Sequence, residues 1–220
     1  MSQIEIHKPW PRYSSIDFSK LRKSEQTRQK ILNAALELLW TTPFRDLTVS
    51  GITTKAGVSR TSLYQHFDDL HNLMEELLRN LELEIVEAAK PWFTAKTDVT
   101  SKLCESLHEV VTVCYHYGPI LRAIFEAAPM DERLEKAWNG FIQLFDDAVT
   151  DRIIQDQRDG LAQSFEARPI AIALNQMDIG VLIHHFGSNP RSDIQPVYES
   201  IARIWLNTIY GKESPPLIQE

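Results

Sequence analysis

Cysteine is scarce: Cys104 and Cys114 are the only two in 220 residues. Ten residues apart on one predicted helix, they stand about 15 Å apart along its axis, beyond the span of a disulfide. They match no zinc or redox spacing and read as reduced, buried small hydrophobes. Also missing is any run of about 18 uncharged apolar residues, which excludes a membrane-spanning helix. Residues 1–19, with Pro9, Trp10 and Pro11, carry no apolar stretch of the secretion-signal kind and are expected to form a flexible arm. The expectation is a soluble, cytoplasmic protein with no membrane partner. Alternating runs of strand length, internal repeats and low-complexity tracts are absent as well, so the pattern is helical throughout.

Metal-ligand sets are lacking too. His108 and His116 lie eight apart, and no Asp or Glu set completes a site around them, so no metal and no cofactor are expected. Cys114 beside those histidines, or Asp178 beside His184 and His185, offers the raw material of an enzyme. Nothing in the spacing signals a general base held by a third group, and catalysis is not expected.

What is present is an uneven charge. Residues 1–67 hold ten Lys or Arg against five Asp or Glu, a net +5, and the remainder must carry −12 to reach the chain's −7. A basic head on an acidic body suits a protein that meets a polyanion at one end only. Lys20, Arg22, Lys23, Arg28 and Lys30 supply much of that charge, and on their own they would also suit a solvated helix start.

Within the head, residues 47–67 read as two short helices around a tight corner. Thr48 is placed to cap a helix that buries Val49, Ile52 and Ala56. Gly57 supplies the unusual backbone angles of the corner, and small Thr53 lets the second helix cross closely. Ser59 caps that second helix, whose Leu63 and Phe67 face inward and leave Arg60, Thr61, Ser62, Tyr64 and His66 outward. Such a helix offers a major groove donors, acceptors and an aromatic edge. Upstream, Gln26 to Trp40 forms an amphipathic helix ended near Pro43. Downstream, Asp68 or Asp69 caps a long helix with Leu73, Leu77 and Leu81 on one stripe.

The residues Thr48-Val49, Ile52, Ala56-Gly57-Val58-Ser59, Leu63-Tyr64 and His66-Phe67, in this order and spacing, resemble the head of the TetR family of bacterial regulators. The resemblance covers about 50 residues and implies double-stranded DNA as partner. DNA contacts are then expected first from Arg60, Thr61 and Tyr64, and next from Thr48, Lys55, Ser59 and His66. Two positions depart from the family pattern: Thr53 stands where alanine is usual, and Leu70 where a lysine commonly reaches a phosphate, with His71 a candidate substitute. The division expected is an arm at 1–22, a helix-turn-helix domain at 23–68 and a helical ligand-binding and dimerisation domain at 69–220. The fold class is all-α.

Beyond residue 69 the punctuation falls at Pro91, Gly118-Pro119, Pro129, Gly160, Pro169, Gly187 to Pro190 and Gly211. Asp131 to Asp159 reads as the longest helix, closed by Gly160. The last two helices, about Pro169 to His185 and Ile194 to Tyr210, carry stripes at Ile170, Leu174, Met177 and Val181, and at Val197, Ile201, Ile204, Trp205 and Ile209. In this family such a pair packs against its copy in a homodimer; the same stripes would equally serve a core within one subunit.

Residues 173–177 and 204–211, with 137–141 more weakly, are similar to the ethionamide-resistance-repressor subgroup, which implies a mostly apolar tunnel for a small hydrophobic effector. The corresponding residues are Trp138, Ile142, Phe145, Asn175, Asp178 and Trp205, with Leu103, Leu107, Val110 and Cys114 on an opposing helix. Asp178 replaces an amide of the relative, so one end is expected to be anionic. The function expected is a repressor released from a palindromic operator by that effector. The alternative is a DNA-binding dimer with a filled core and no effector.

Overall fold

The computed structural model describes residues 22–211, and the arm expected over residues 1–22 lies outside the described residues except for Arg22. Among the described residues the chain is all-α. Helix α1 spans Lys23–Leu39, α2 Val49–Ala56 and α3 Arg60–Tyr64; a 3-10 turn at Phe44–Asp46 separates the first two. The longer helices are α4 at Leu70–Thr94, α5 at Val99–Ala127, α6 at Glu132–Arg158, α7 at Ala167–Phe186 and α8 at Ile194–Tyr210.

Side-chain caps set several helix starts. Thr48 Oγ1 accepts the Gly51 N–H at 3.1 Å and Ser59 Oγ the Ser62 N–H at 3.0 Å. Asp69 Oδ1 accepts the Asn72 N–H at 2.7 Å, and Asp131 Oδ1 accepts those of Arg133 and Leu134 at 3.1 and 3.0 Å. Each satisfies an amide that lacks a partner within its own helix. Gly160 closes the end of α6 with a φ of 70°.

Two expected breaks are not breaks. Helix α4 continues through Pro91, where the Ser106 hydroxyl of α5 accepts the Trp92 N–H at 3.0 Å and donates to the Ala89 carbonyl at 3.2 Å. A neighbouring helix thus satisfies polar groups around the proline. Helix α5 continues through Gly118 and Pro119, and its 29 residues make it longer than α6, which has 27. Gly118 serves packing: a Cβ there would lie 2.4 Å from the Phe186 carbonyl oxygen, so glycine lets the end of α7 approach.

One continuous core joins head and body. Leu63 and Phe67 bury with Ile31, Ala35 and Leu39 of α1, and Leu73 and Leu77 of α4 carry the same core onward into α5. Polar contacts reinforce the junction. The Arg122 guanidinium donates to the Leu39 carbonyl at 2.7 Å, and Arg191 lies over the rings of Trp40 and Tyr115 at 4.8 and 3.9 Å. In the last two helices, Leu174, Val197, Ile201, Trp205 and Ile209 turn into the subunit. Ile172 and Ile204 remain exposed on the opposite faces. Of the cysteines, Cys114 is fully buried but Cys104 is only half-buried, against expectation. Both are free thiols.

Candidate functional site

Two candidate sites lie in different parts of the chain, one on the surface of the head and one between the helices of the body. At the head, Gly57 turns the corner in the left-handed region, φ 65° and ψ 37°, and no side chain is needed to cap α2 at that end. Thr53 is buried and its hydroxyl donates back to the Val49 carbonyl at 2.9 Å, which leaves no unsatisfied group at the helix crossing.

Helix α3 has only five residues, and it exposes Arg60, Thr61 and Tyr64 on one face while Leu63 is buried. Tyr64 is 50 % exposed, which leaves its ring and hydroxyl accessible at the surface of the head. Ser62 and His66, expected outward, are half-buried, because the chain turns at Gln65 after a single helical turn and a half. Gln65 itself is exposed beside Tyr64; its position at the end of the short helix is not marked by any stop residue in the sequence. Thr48 and Ser59 stand at the same surface with their oxygens engaged as caps. Lys55 is also exposed, 2.7 Å from the Glu37 carboxylate of α1. His71 does not point with them: its Nε2 lies 2.9 Å from Asp131 Oδ2 and its ring meets Phe44 edge-on at 5.4 Å. That corrects the idea that His71 stands in for the family's lysine at position 70, since it is committed to the junction with α6.

The second site is a cavity of about 90 Å³ between α4, α5, α6, α7 and α8. Its wall brings together Leu103, Leu107, Val110, Cys114, Ile142, Phe145, Asn175, Asp178 and Trp205. Trp138 is the exception among the residues expected there. Its ring stacks on Phe141 at 5.6 Å and meets Phe125 edge-on at 5.9 Å, and Phe141 reaches the cavity in its place. Sequence reasoning missed the contribution of α4, namely Ile85, Ala89, Trp92 and Phe93. A helix read as broken at Pro91 offers no wall at Trp92 and Phe93; for Ile85 and Ala89 the signal available was the amphipathic stripe continuing from Leu81.

The wall is apolar apart from a few groups. Asp178 accepts the Trp205 indole N–H, with both carboxylate oxygens 3.1 Å from Nε1. Burial pushes its carboxyl up to about 7, and the Trp205 N–H only partly offsets this. Asn175 donates from Nδ2 to Asp146 Oδ1 at 2.8 Å. The Cys114 thiol is pushed up to about 12 by burial and, secondarily, by the Asp178 charge, which favours its neutral form in the wall. Behind the cavity, the Trp92 indole donates to the Tyr210 hydroxyl at 2.9 Å, and Tyr210 donates in turn to Asp156 at 2.5 Å. Arg152 pairs with the same carboxylate at 2.8 Å. This buried network fixes the end of α8 against α4 and α6. Among the described residues no group of three His, Cys, Asp or Glu side chains could hold a metal ion, and no helix is long and apolar enough to cross a membrane.

Both halves of the chain match known families. Residues 31–77 match the model of the bacterial regulatory proteins of the TetR family, and residues 103–211 match the EthR C-terminal domain of transcriptional regulators. The HTH-type transcriptional regulator EthR of Mycobacterium tuberculosis is 26 % identical over 189 residues, 83 % of this chain and 86 % of its own. Its namesake from Mycolicibacterium smegmatis is 24 % identical over 82 % of this chain and 85 % of its own. Among solved structures, NalD, the secondary repressor of a multidrug efflux pump in Pseudomonas aeruginosa, superposes with a TM-score of 0.68 at 22 % identity, over 85 % of this chain and 97 % of its own. Salmonella enterica GusR gives 0.70 at 17 % identity, over 86 % and 97 %. The helix-turn-helix head, the five-helix body and these matches together make the chain a DNA-binding transcriptional regulator that belongs to the TetR family, with a second domain of the EthR type.

Proposed function

We propose that this regulator is a repressor that binds a palindromic operator as a homodimer and leaves it when a small hydrophobic effector enters the cavity. The labour divides near residue 68: residues 23–68 read DNA and residues 69–220 bind effector and partner copy. One head spans only a few base pairs, and two heads about 34–36 Å apart read successive major grooves on one side of the duplex. The exposed Ile172 and Ile204 on adjoining helices suit the pairing of two copies.

The observation that carries this reading is the double duty of α4. Its first turn is capped and tied at Asp69 and His71, beside the recognition helix, and its last turns supply Ile85, Ala89, Trp92 and Phe93 to the cavity. The cavity of about 90 Å³ is smaller than the roughly 300–1,000 Å³ of ordinary ligand pockets. A drug-sized effector therefore displaces wall helices on entry, and α4 is one of them. Any arrangement so favoured that mis-spaces the heads lowers operator affinity reciprocally. A 100-fold loss requires about 2.7 kcal/mol of differential binding.

The presence of a cavity beside Asn175 favours this over a dimer with a filled core and no effector. Binding of the purified protein to its own promoter fragment, titrated with salt and then with a hydrophobic ligand panel, tests the reading. Salt-sensitive binding as a dimer, weakened by at least one ligand, is expected; salt-insensitive attachment by a monomer overturns it.

A further inference from the structure

The geometry points to a hydrophobic amine as the effector, its ammonium seated on the Asp178 carboxylate; this rests on the effector reading of the cavity. The wall's polar groups are unequal in kind. Of its donors, the Trp92 indole is engaged by Tyr210, the Ser106 hydroxyl by the Ala89 carbonyl and the Trp205 indole by Asp178 itself. Asn175 commits an N–H to Asp146, and a buried thiol such as Cys114 is a weak donor. One N–H of Asn175 stays uncommitted, and the larger remaining capacity is to accept. The two oxygens of Asp178 share a single N–H, whereas an ionised carboxylate has sites for about four donors.

Charge leads to the same class of ligand. Among the described residues, no Lys, Arg or His forms an ion pair with Asp178. A carboxylate in an apolar wall without a counter-charge is costly, and the cost explains why burial raises its carboxyl to about 7. A ligand bringing a carboxylate or a phosphate meets like charge at Asp178. An alcohol brings one donor and no charge. An ammonium brings three donors and the missing positive charge, while its hydrocarbon part lies against Leu107, Ile142 and Phe145.

The test compares matched pairs, n-alkylamines against n-alkanols of equal length from butyl to decyl, and 4-phenylbutylamine against 4-phenylbutanol. Binding to the full-length protein is measured by calorimetry at pH 8, where the amines are protonated. The near-isosteric Asp178→Asn variant is measured alongside, with a thermal melt to establish that it is folded. The expected result is at least a tenfold preference for the amine of a pair in the parent protein, and loss of that preference in the variant. Equal or tighter binding of the alcohol in the parent overturns the inference alone, as does a preference for amine that survives Asp178→Asn. Absence of binding by every member of the panel overturns it together with the effector reading.

Discussion

Arg133 holds Asp69 at 2.7 Å and so ties the first turn of α6 to the cap of α4. The tie is reciprocal. Asp69 caps α4 with one oxygen and accepts Arg133 with the other; Asp131 caps α6 with one oxygen and meets His71 of α4 with the other. Glu75 adds a second carboxylate to Arg133 at 3.2 Å. The head-side ends of two cavity-lining helices are thus linked by side-chain contacts.

The first prediction separates cap from tie. Arg133→Ala removes exposed, solvent-screened ion pairs and is expected to cost little stability. Asp131→Ala removes the α6 cap as well as the His71 contact and is expected to cost about 1–2 kcal/mol. Denaturant melts of both variants at pH 7 check the order. A cost for Arg133→Ala equal to that of Asp131→Ala contradicts it.

A second prediction concerns pH. The Asp178 carboxyl, at about 7 in the folded chain against an ordinary 3.8, binds its proton more tightly when folded. Its contribution to stability therefore falls as pH rises from about 4 to about 7 and then levels off. Asn keeps an acceptor for the Trp205 N–H and never ionises. Asp178→Asn is expected to match the parent near pH 4 and to exceed it at pH 8 by roughly 1–3 kcal/mol. Each kcal/mol shifts the melting temperature of a chain this size by about 2–4 °C. Melts at the two pH values decide it; an equal difference at both removes burial of the charge as the cause.

Much of this architecture is legible in the sequence. Thr48, Gly57 and Ser59 act through local backbone chemistry, which sequence records directly, and the last helix falls at Ile194–Tyr210 as expected. The misreadings share one cause. Pro91 and Gly118-Pro119 are local breakers that a neighbour overrides, the Ser106 hydroxyl in one case and the close approach of Phe186 in the other. Trp138 and Phe141, three apart on α6, are both aromatic, and helical period alone does not say which of them reaches the cavity. The ionic tie at Arg133 joins residues 58 and 64 apart, a separation at which charge pattern carries no contact information.

The third prediction tests the role given to Gly118. An added Cβ meets the Phe186 carbonyl at 2.4 Å, a backbone atom with little freedom to yield, so Gly118→Ala is expected to cost about 1–3 kcal/mol. At Gly140, on the same type of helix but exposed, a Cβ meets nothing within 4 Å. There alanine is expected to stabilise by about 0.4–1 kcal/mol through helix propensity and a less flexible unfolded chain. Opposite signs in parallel melts are the expected outcome, and a neutral Gly118→Ala removes close packing as its explanation.

The last prediction divides the recognition helix by what each side chain can read. Tyr64 is half-exposed at the end of a five-residue helix, with a ring and a single hydroxyl, a geometry suited to a phosphate more than to a base edge. Arg60, at the first helical position and exposed, has the planar fork that matches guanine O6 and N7. Tyr64→Ala is expected to weaken binding to operator and unrelated duplex by a similar factor. Arg60→Ala is expected to cost about 1–3 kcal/mol on the operator and less on unrelated duplex, and so to flatten the ranking of operator variants. Because Arg60 is also a cation, the two roles are separated by salt. If it contacts only phosphate, its loss lowers the slope of log affinity against log salt by about 1 and leaves the ranking intact. Affinities for a set of single-base operator variants, measured at two salt concentrations, distinguish the outcomes, and an unchanged ranking with a reduced slope assigns Arg60 to the backbone.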